Sequence, residues 1–124
     1  MAKIADARLS QNFTIEADGT ARVRFSPSTY GTVWEITRIN VQANSAKEPK
    51  VLFYVGNESQ SNLVSTTYGG NLDTDTDPKI TLNGGDVLIG VYLDATPGAT
   101  GVVTISYVQG RLWRSTTRSW VAPH

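Results

Sequence analysis

The chain has no cysteine and only one histidine and one methionine. Without cysteine there can be no disulfide framework and no thiolate metal site. The histidine is His124, at the end of the sequence. A terminal histidine is seldom held rigidly enough for general-base work, so histidine-dependent nucleophilic triads are not expected. Neither GxGxxG nor GxxxxGK[ST] occurs, so no phosphate-cradling loop of the usual kinds is expected. No run approaches the ~20 apolar residues of a membrane span. After Met1-Ala2-Lys3-Ile4 come Asp6 and Arg8 instead of an apolar core region. No secretory signal is therefore expected, and synthesis in the cytoplasm is. Glu16, Glu35, Glu48 and Glu58 are present, but sequence alone does not place two carboxyl groups at the separation a glycosidase needs. These absences predict a protein that is not an enzyme and carries no cofactor.

Charge is scarce but unevenly placed. The formal net charge is zero over 124 residues, and 18% of residues are charged. A neutral chain has no general attraction for nucleic acid or an anionic membrane, and neither is expected as a partner. After Gly110, however, Arg111, Arg114 and Arg118 occur with no acidic residue. That tail carries +3 and the rest of the chain therefore −3. A basic tail on a mildly acidic body suits docking on an acidic neighbour, a second copy included.

What is abundant is Thr, Ser, Val, Gly and Asn, in a chain that is 40% hydrophobic. This composition is globular and favours strands joined by turns, and 124 residues suit one domain. Ile80 to Leu93 is the most explicit stretch. Ile80 and Leu82 alternate with Thr81, and Val87, Ile89, Val91 and Leu93 alternate with Leu88, Gly90 and Tyr92. Between them lies Asn83-Gly84-Gly85-Asp86, turn material that tolerates positive φ. The pattern predicts a hairpin whose row of Val87, Ile89, Val91 and Leu93 faces the core.

The remaining strands are read the same way. Phe13 and Ile15, then Ala21, Val23 and Phe25, flank Ala17-Asp18-Gly19 and predict a second hairpin. From Gly31 to Ala43 the apolar set changes parity: Trp34 and Ile36 lie on one, Val33, Ile39 and Val41 on the other. A β-bulge near Thr37 produces that change. Val51, Phe53 and Val55 form one further row, Leu63-Val64 a short strand, and Val103, Ile105 and Tyr107 another row. About eight strands and no helical period predict an all-β single-domain antiparallel β-sandwich of jelly-roll type. The expected division is an N-terminal arm over 1–10, the sandwich over 11–110 and a basic, Trp-containing C-terminal arm over 111–124.

Three groups of residues invite a functional reading. Asp73, Asp75 and Asp77 form D-x-D-x-D, the opening of a calcium loop, but Pro78 and Gly84 stand where an EF-hand needs glycine and a bidentate acid. Another calcium geometry, or a solvated acidic turn, remains open. Tyr30, Trp34, Tyr54, Tyr68 and Tyr92 would suit a carbohydrate-binding face if exposed together, and core or cross-strand pairs if not. Arg111, Trp113, Arg114, Arg118 and Trp120 form a candidate partner interface, since Trp and Arg are enriched at binding hot spots. The same tail suits folding back over one end of its own sandwich.

The order of signals then carries a resemblance. The strand GTVWEITRINVQA is followed by VLFYVGNES, a Leu-Val segment, a Thr-Tyr-Gly-Gly loop with aspartates, PKITLNGGDVLIGVYL and TPGATGVVTISYVQG. Over about residues 31 to 110 this resembles small jelly-roll virion proteins of tailed bacteriophages. The Gly85-Asp86 element is also similar to the turn of tumour-necrosis-factor-like and complement-type trimeric jelly rolls. The phage resemblance implies a structural virion protein on the capsid exterior, a decoration (cement) protein bound to the major capsid protein or another virion protein. It implies homotrimers and contacts made through terminal arms. Alternatives are a tail or adsorption-apparatus component and a carbohydrate-binding β-sandwich module. Architecture of this kind speaks to function only by analogy.

Overall fold

Apolar residues spaced two apart need one buried face, and the chain supplies it by building two sheets that cover each other. In the computed structural model, residues 7–27, 32–67, 70–76 and 78–111 are described, with Thr67 and Arg111 described through the backbone alone. The strands among them are β1 (Ala7–Thr14), β2 (Ala21–Phe25), β3 (Thr32–Ala43), β4 (Lys50–Val55), β5 (Leu63–Thr67), β6 (Leu72–Asp75), β7 (Ile80–Asn83), β8 (Leu88–Leu93) and β9 (Thr100–Arg111). The one helical element among the described residues is a 3-10 turn, Gln60–Asn62.

The first sheet has the order β1-β9-β3-β6, with β7 also on β3. The second has the order β2-β8-β4-β5. Every pairing is antiparallel. The fold is thus an all-β sandwich. Its pairings nest: β1 with β9, β2 with β8, β3 with β6 and β7, β4 with β5. One long ribbon doubled back at β4–β5 has this nesting. Wrapping it brings β9 onto β3 and β8 onto β4.

The rows facing between the sheets make the core. Trp34, Ile36, Ile39 and Val41 come from β3, and Val103, Ile105 and Tyr107 from β9. They meet Val23 and Phe25 of β2, Val51 and Phe53 of β4, and Leu88 and Tyr92 of β8. The parity change in β3 arises as its sequence predicts. The register against β9 slips between Ile36 and Arg38, so Thr37 is the extra residue of a bulge. β6 runs along Ile39–Gln42 and β7 along Val33–Ile36 in the same direction. They are two halves of one edge strand, interrupted opposite the bulge.

Two expected hairpins are not hairpins. β7 lies in the first sheet and β8 in the second, so Asn83–Asp86 is an arch between sheets. The turn itself forms: the Asp86 N–H donates to the Asn83 carbonyl at 2.9 Å, and Gly85 has φ +96°. The Asn83 N–H donates to the Asp86 carboxylate at 2.8 Å. Its exit is pinned to the second sheet by the Ser26 hydroxyl on the Asp86 carbonyl (2.5 Å) and the Gly56 N–H on the Val87 carbonyl (2.9 Å). β1 and β2 also sit in different sheets, joined across residues 15–20.

The inward row of β8 is likewise the opposite of the expected one. Leu88, Gly90 and Tyr92 face the core, and Ile89 and Val91 face outward. Gly90 sits in register between Val23 and Phe53. A Cβ there would lie 2.8 Å from Phe53 Cε1 and 2.9 Å from Val23 Cγ2. The glycine reads as a gap in a core row, yet it is what admits the Phe53 ring.

The boundaries of the arms shift too. β1 begins at Ala7, within the span 1–10 expected as an arm, and stays in register with β9 from Ala7–Tyr107 to Thr14–Thr100. β9 continues through Arg111, which pairs with Thr32.

Candidate interaction surfaces

The basic tail carries the candidate partner interface of the sequence. Arg111 is its first residue and the last of β9. Trp113, Arg114, Arg118 and Trp120 lie outside the described residues. Ala7 is opposite Tyr107, four residues before Arg111, on adjacent antiparallel strands. Both ends of the described chain therefore emerge at the same end of the first sheet.

The aromatic set is dispersed. Trp34 is 6% exposed, stacks on Tyr107 with centroids 4.2 Å apart, and donates Nε1–H to Gln109 Oε1 at 3.1 Å. Tyr92 is fully buried, its ring 4.3 Å from that of Phe13. Tyr54 is half-buried on the outward face of the second sheet. Tyr30 and Tyr68 lie outside the described residues. Trp34 and Tyr92 are thus core residues and present no ring to a sugar.

The Tyr92 hydroxyl has no hydrogen-bond partner among the described residues. Burial alone pushes its ionisation well above the ordinary tyrosine value. A buried, unpaired hydroxyl costs folding free energy.

Asp73 and Asp75 stand in a strand, β6, and not in a turn. They pair with Val41 and Ile39, so by register they share the inward face with those core residues. They line a cleft of about 220 Å³ where the two sheets gape, floored by Ile39, Val41 and Phe53. Ser65 Oγ of β5 donates to Asp75 Oδ2 at 3.3 Å, and the Thr74 N–H to Asp73 Oδ1 at 2.8 Å. Asp77 lies outside the described residues, and no group of three potential metal ligands exists among the described ones. Inward charge on a short edge strand is one of the usual means of keeping a sheet edge from recruiting another strand.

The outward face of the second sheet carries the apolar row that the sequence was expected to send inward. Ile89 and Val91 run down its middle, with Leu52 and Tyr54 on one side and Arg22 and Arg24 on the other. Both are buried, at 5% and 3% exposure. The long neighbouring side chains can cover them, as charged stems often do. Arg22 is held by a two-point contact with Glu58, Nε to Oε2 at 2.7 Å and Nη2 to Oε1 at 3.1 Å. The same contact lowers the Glu58 pKa and raises that of Arg22.

β1 is the surface whose extent sequence reasoning missed: a strand was expected at Phe13 and Ile15, not from Ala7. It is eight residues long, edges the first sheet, and exposes Arg8 through Asn12. Leu9 is 40% exposed. Its alternation of Leu9, Gln11 and Phe13 was too polar in the middle to register as a strand. No family model matches this chain, and no curated protein matches it either.

Proposed function

We propose that this chain is a structural protein of a phage particle that works by binding, as a decoration protein on the capsid exterior. We infer also that its sandwich is a jelly roll. Its nested strand pairing is what a doubled ribbon rolled into two sheets produces, and the resemblance carried by residues 31 to 110 is to jelly rolls of that kind. The observation that carries the functional reading is the common exit of the two chain ends beside Ala7 and Arg111. Two segments that continue from the same end of one sheet can grip a surface together. The C-terminal one brings Trp113, Trp120, Arg114 and Arg118, and the body carries the compensating negative charge. A protein that binds only the assembled shell stabilises it by mass action.

The test is co-sedimentation with particles. Truncation after Arg111 keeps β9 paired with β3 to its end, so the sandwich is expected to melt as before while binding drops at least tenfold. A truncated protein that binds particles with unchanged affinity would sink the reading. Recovery with tails instead of capsids would move the protein to the adsorption apparatus.

A further inference from the structure

We propose that β1 is a self-association edge, on which a second copy of this chain adds its own β1 antiparallel about a two-fold axis at Gln11. The inference rests on the sandwich alone and is independent of any phage particle. It also differs from the three-fold assembly that the resemblance implies.

The four sheet edges are not equivalent. β6 and β7 are four residues each, and β6 turns Asp73 and Asp75 inward. β5 slips register against β4 between Phe53 and Tyr54. β2 is five residues long with Arg22 and Arg24 outward, and Pro27 follows two residues beyond it. Shortness, bulges, charge and proline are the usual means of protecting an edge. β1 is neither short, nor bulged, nor interrupted by proline, and carries a single charge. It holds unbroken register over eight residues, and the charge is Arg8.

Backbone polarity fixes the register of a partner. The Ile15 N–H donates to the Ala99 carbonyl at 2.8 Å, and the Ile15 carbonyl accepts from the Gly98 N–H at 2.9 Å. Ile15 therefore aims both groups at the β9 side. Alternation along the strand gives Ala7, Leu9, Gln11 and Phe13 the same direction, and turns the N–H and C=O of Arg8, Ser10, Asn12 and Thr14 away from the sheet. For two β1 strands to share one continuous inward face, the axis must pass through a residue. An axis at Gln11 sets Ser10 opposite Asn12 and Arg8 opposite Thr14, so every outward group of β1 is paired. An axis at Ser10 or Asn12 leaves some unpaired within the strand. The Gln11 register also sets exposed Leu9 opposite half-buried Phe13 of the other copy on the inward face. Arg8 meets Thr14, so no like charges oppose each other.

Analytical ultracentrifugation of the free full-length protein tests this. The wild type is expected to sediment as a dimer at about 100 μM. Asn12→Pro removes an outward N–H and leaves the β9 ladder intact, as prolines on sheet edges do. It is expected to weaken association at least tenfold with unchanged melting. Leu9→Lys should do the same, and it carries the test if the proline variant fails to fold. Gln11→Cys provides a geometric readout, because the chain has no other cysteine. Residues on the axis would form a close non-hydrogen-bonded pair, within disulfide reach. Rapid covalent dimerisation of Gln11→Cys on oxidation, with Thr66→Cys on the far edge staying uncrosslinked, is the expected result. A wild-type monomer at that concentration overturns the proposal, whether or not β1 captures strands of other proteins. So does a trimer, or an oligomer indifferent to Leu9→Lys with no Gln11→Cys crosslink.

Discussion

The first sheet ends differently on its two sides. At one side β6 is four residues long, presents two inward carboxylates, and leaves a cleft floored by Phe53. At the other β1 is twice as long, nearly uncharged, and closes the core with Phe13 against Tyr92. Both are edge strands among the described residues, but one is guarded and one is bare. The difference shows how a sandwich of nearly uniform composition can direct association to one edge, through local sequence alone.

The largest expected effect tests how deep the core runs at each edge. Phe53 is 1% exposed and enclosed by Gly90, Val23 and the first sheet. Phe53→Ala should cost about 3–5 kcal/mol, the range for a buried ring whose site cannot collapse. Phe13 is half-buried, so Phe13→Ala should cost about 2 kcal/mol, including its contact with Tyr92. Urea midpoints at unchanged m-value measure both. Equal losses would mean that the bare edge is as fully packed as the guarded one.

Much of this architecture was legible. The inward rows of β2, β4 and β9, the bulge at Thr37 and the two-sheet all-β class follow from period two, because burial of one face leaves that mark on each strand separately. Which strand pairs with which leaves no such mark. Asn83-Gly84-Gly85-Asp86 reads the same whether it closes a hairpin or arches between sheets, since the turn bond and the positive φ at Gly85 serve both. The facing of β8 was misread for a related reason. Both its rows are apolar, and the row with the glycine faces inward because Phe53, distant in sequence, fills the space. The first part of β1 stayed hidden because an edge strand is wetted on the inward face too, so Gln11 is tolerated among core-facing positions. Of the candidate site, Asp73 and Asp75 were found by spacing, but their role as an edge guard needed the pairing with Val41 and Ile39.

Removing the guard is the next step down in size and the most direct way to break the comparison. Asp73→Val with Asp75→Val replaces both carboxylates by β-branched apolar residues on the same row as Ile39 and Val41. The altered edge should then associate at least tenfold more readily, equivalent to about 1.4 kcal/mol. Light scattering against protein concentration, in a background carrying Asn12→Pro to silence β1, isolates the effect. A double variant as monodisperse as its background would show that shortness alone protects β6.

The smallest effect lies beneath the bare edge. Tyr92 fits its site as a ring, packed against Phe13, but its hydroxyl is buried without a partner among the described residues. Tyr92→Phe removes the unpaired group and keeps the ring, so it should stabilise the fold by about 1 kcal/mol near neutral pH. Alkaline titration separates this cause from a general packing gain. Burial raises the Tyr92 pKa in the folded chain, whereas the unfolded chain releases that proton near the ordinary value of about 10. Above that pH the unfolded state binds fewer protons, so wild-type stability falls as pH rises, by up to about 1.4 kcal/mol per unit from this residue. The advantage of Tyr92→Phe over wild type should therefore be constant below about pH 9 and widen above about pH 10. An advantage that stays flat into the alkaline range would mean that the hydroxyl finds water or a partner in solution, and that the bare edge opens far enough to let it.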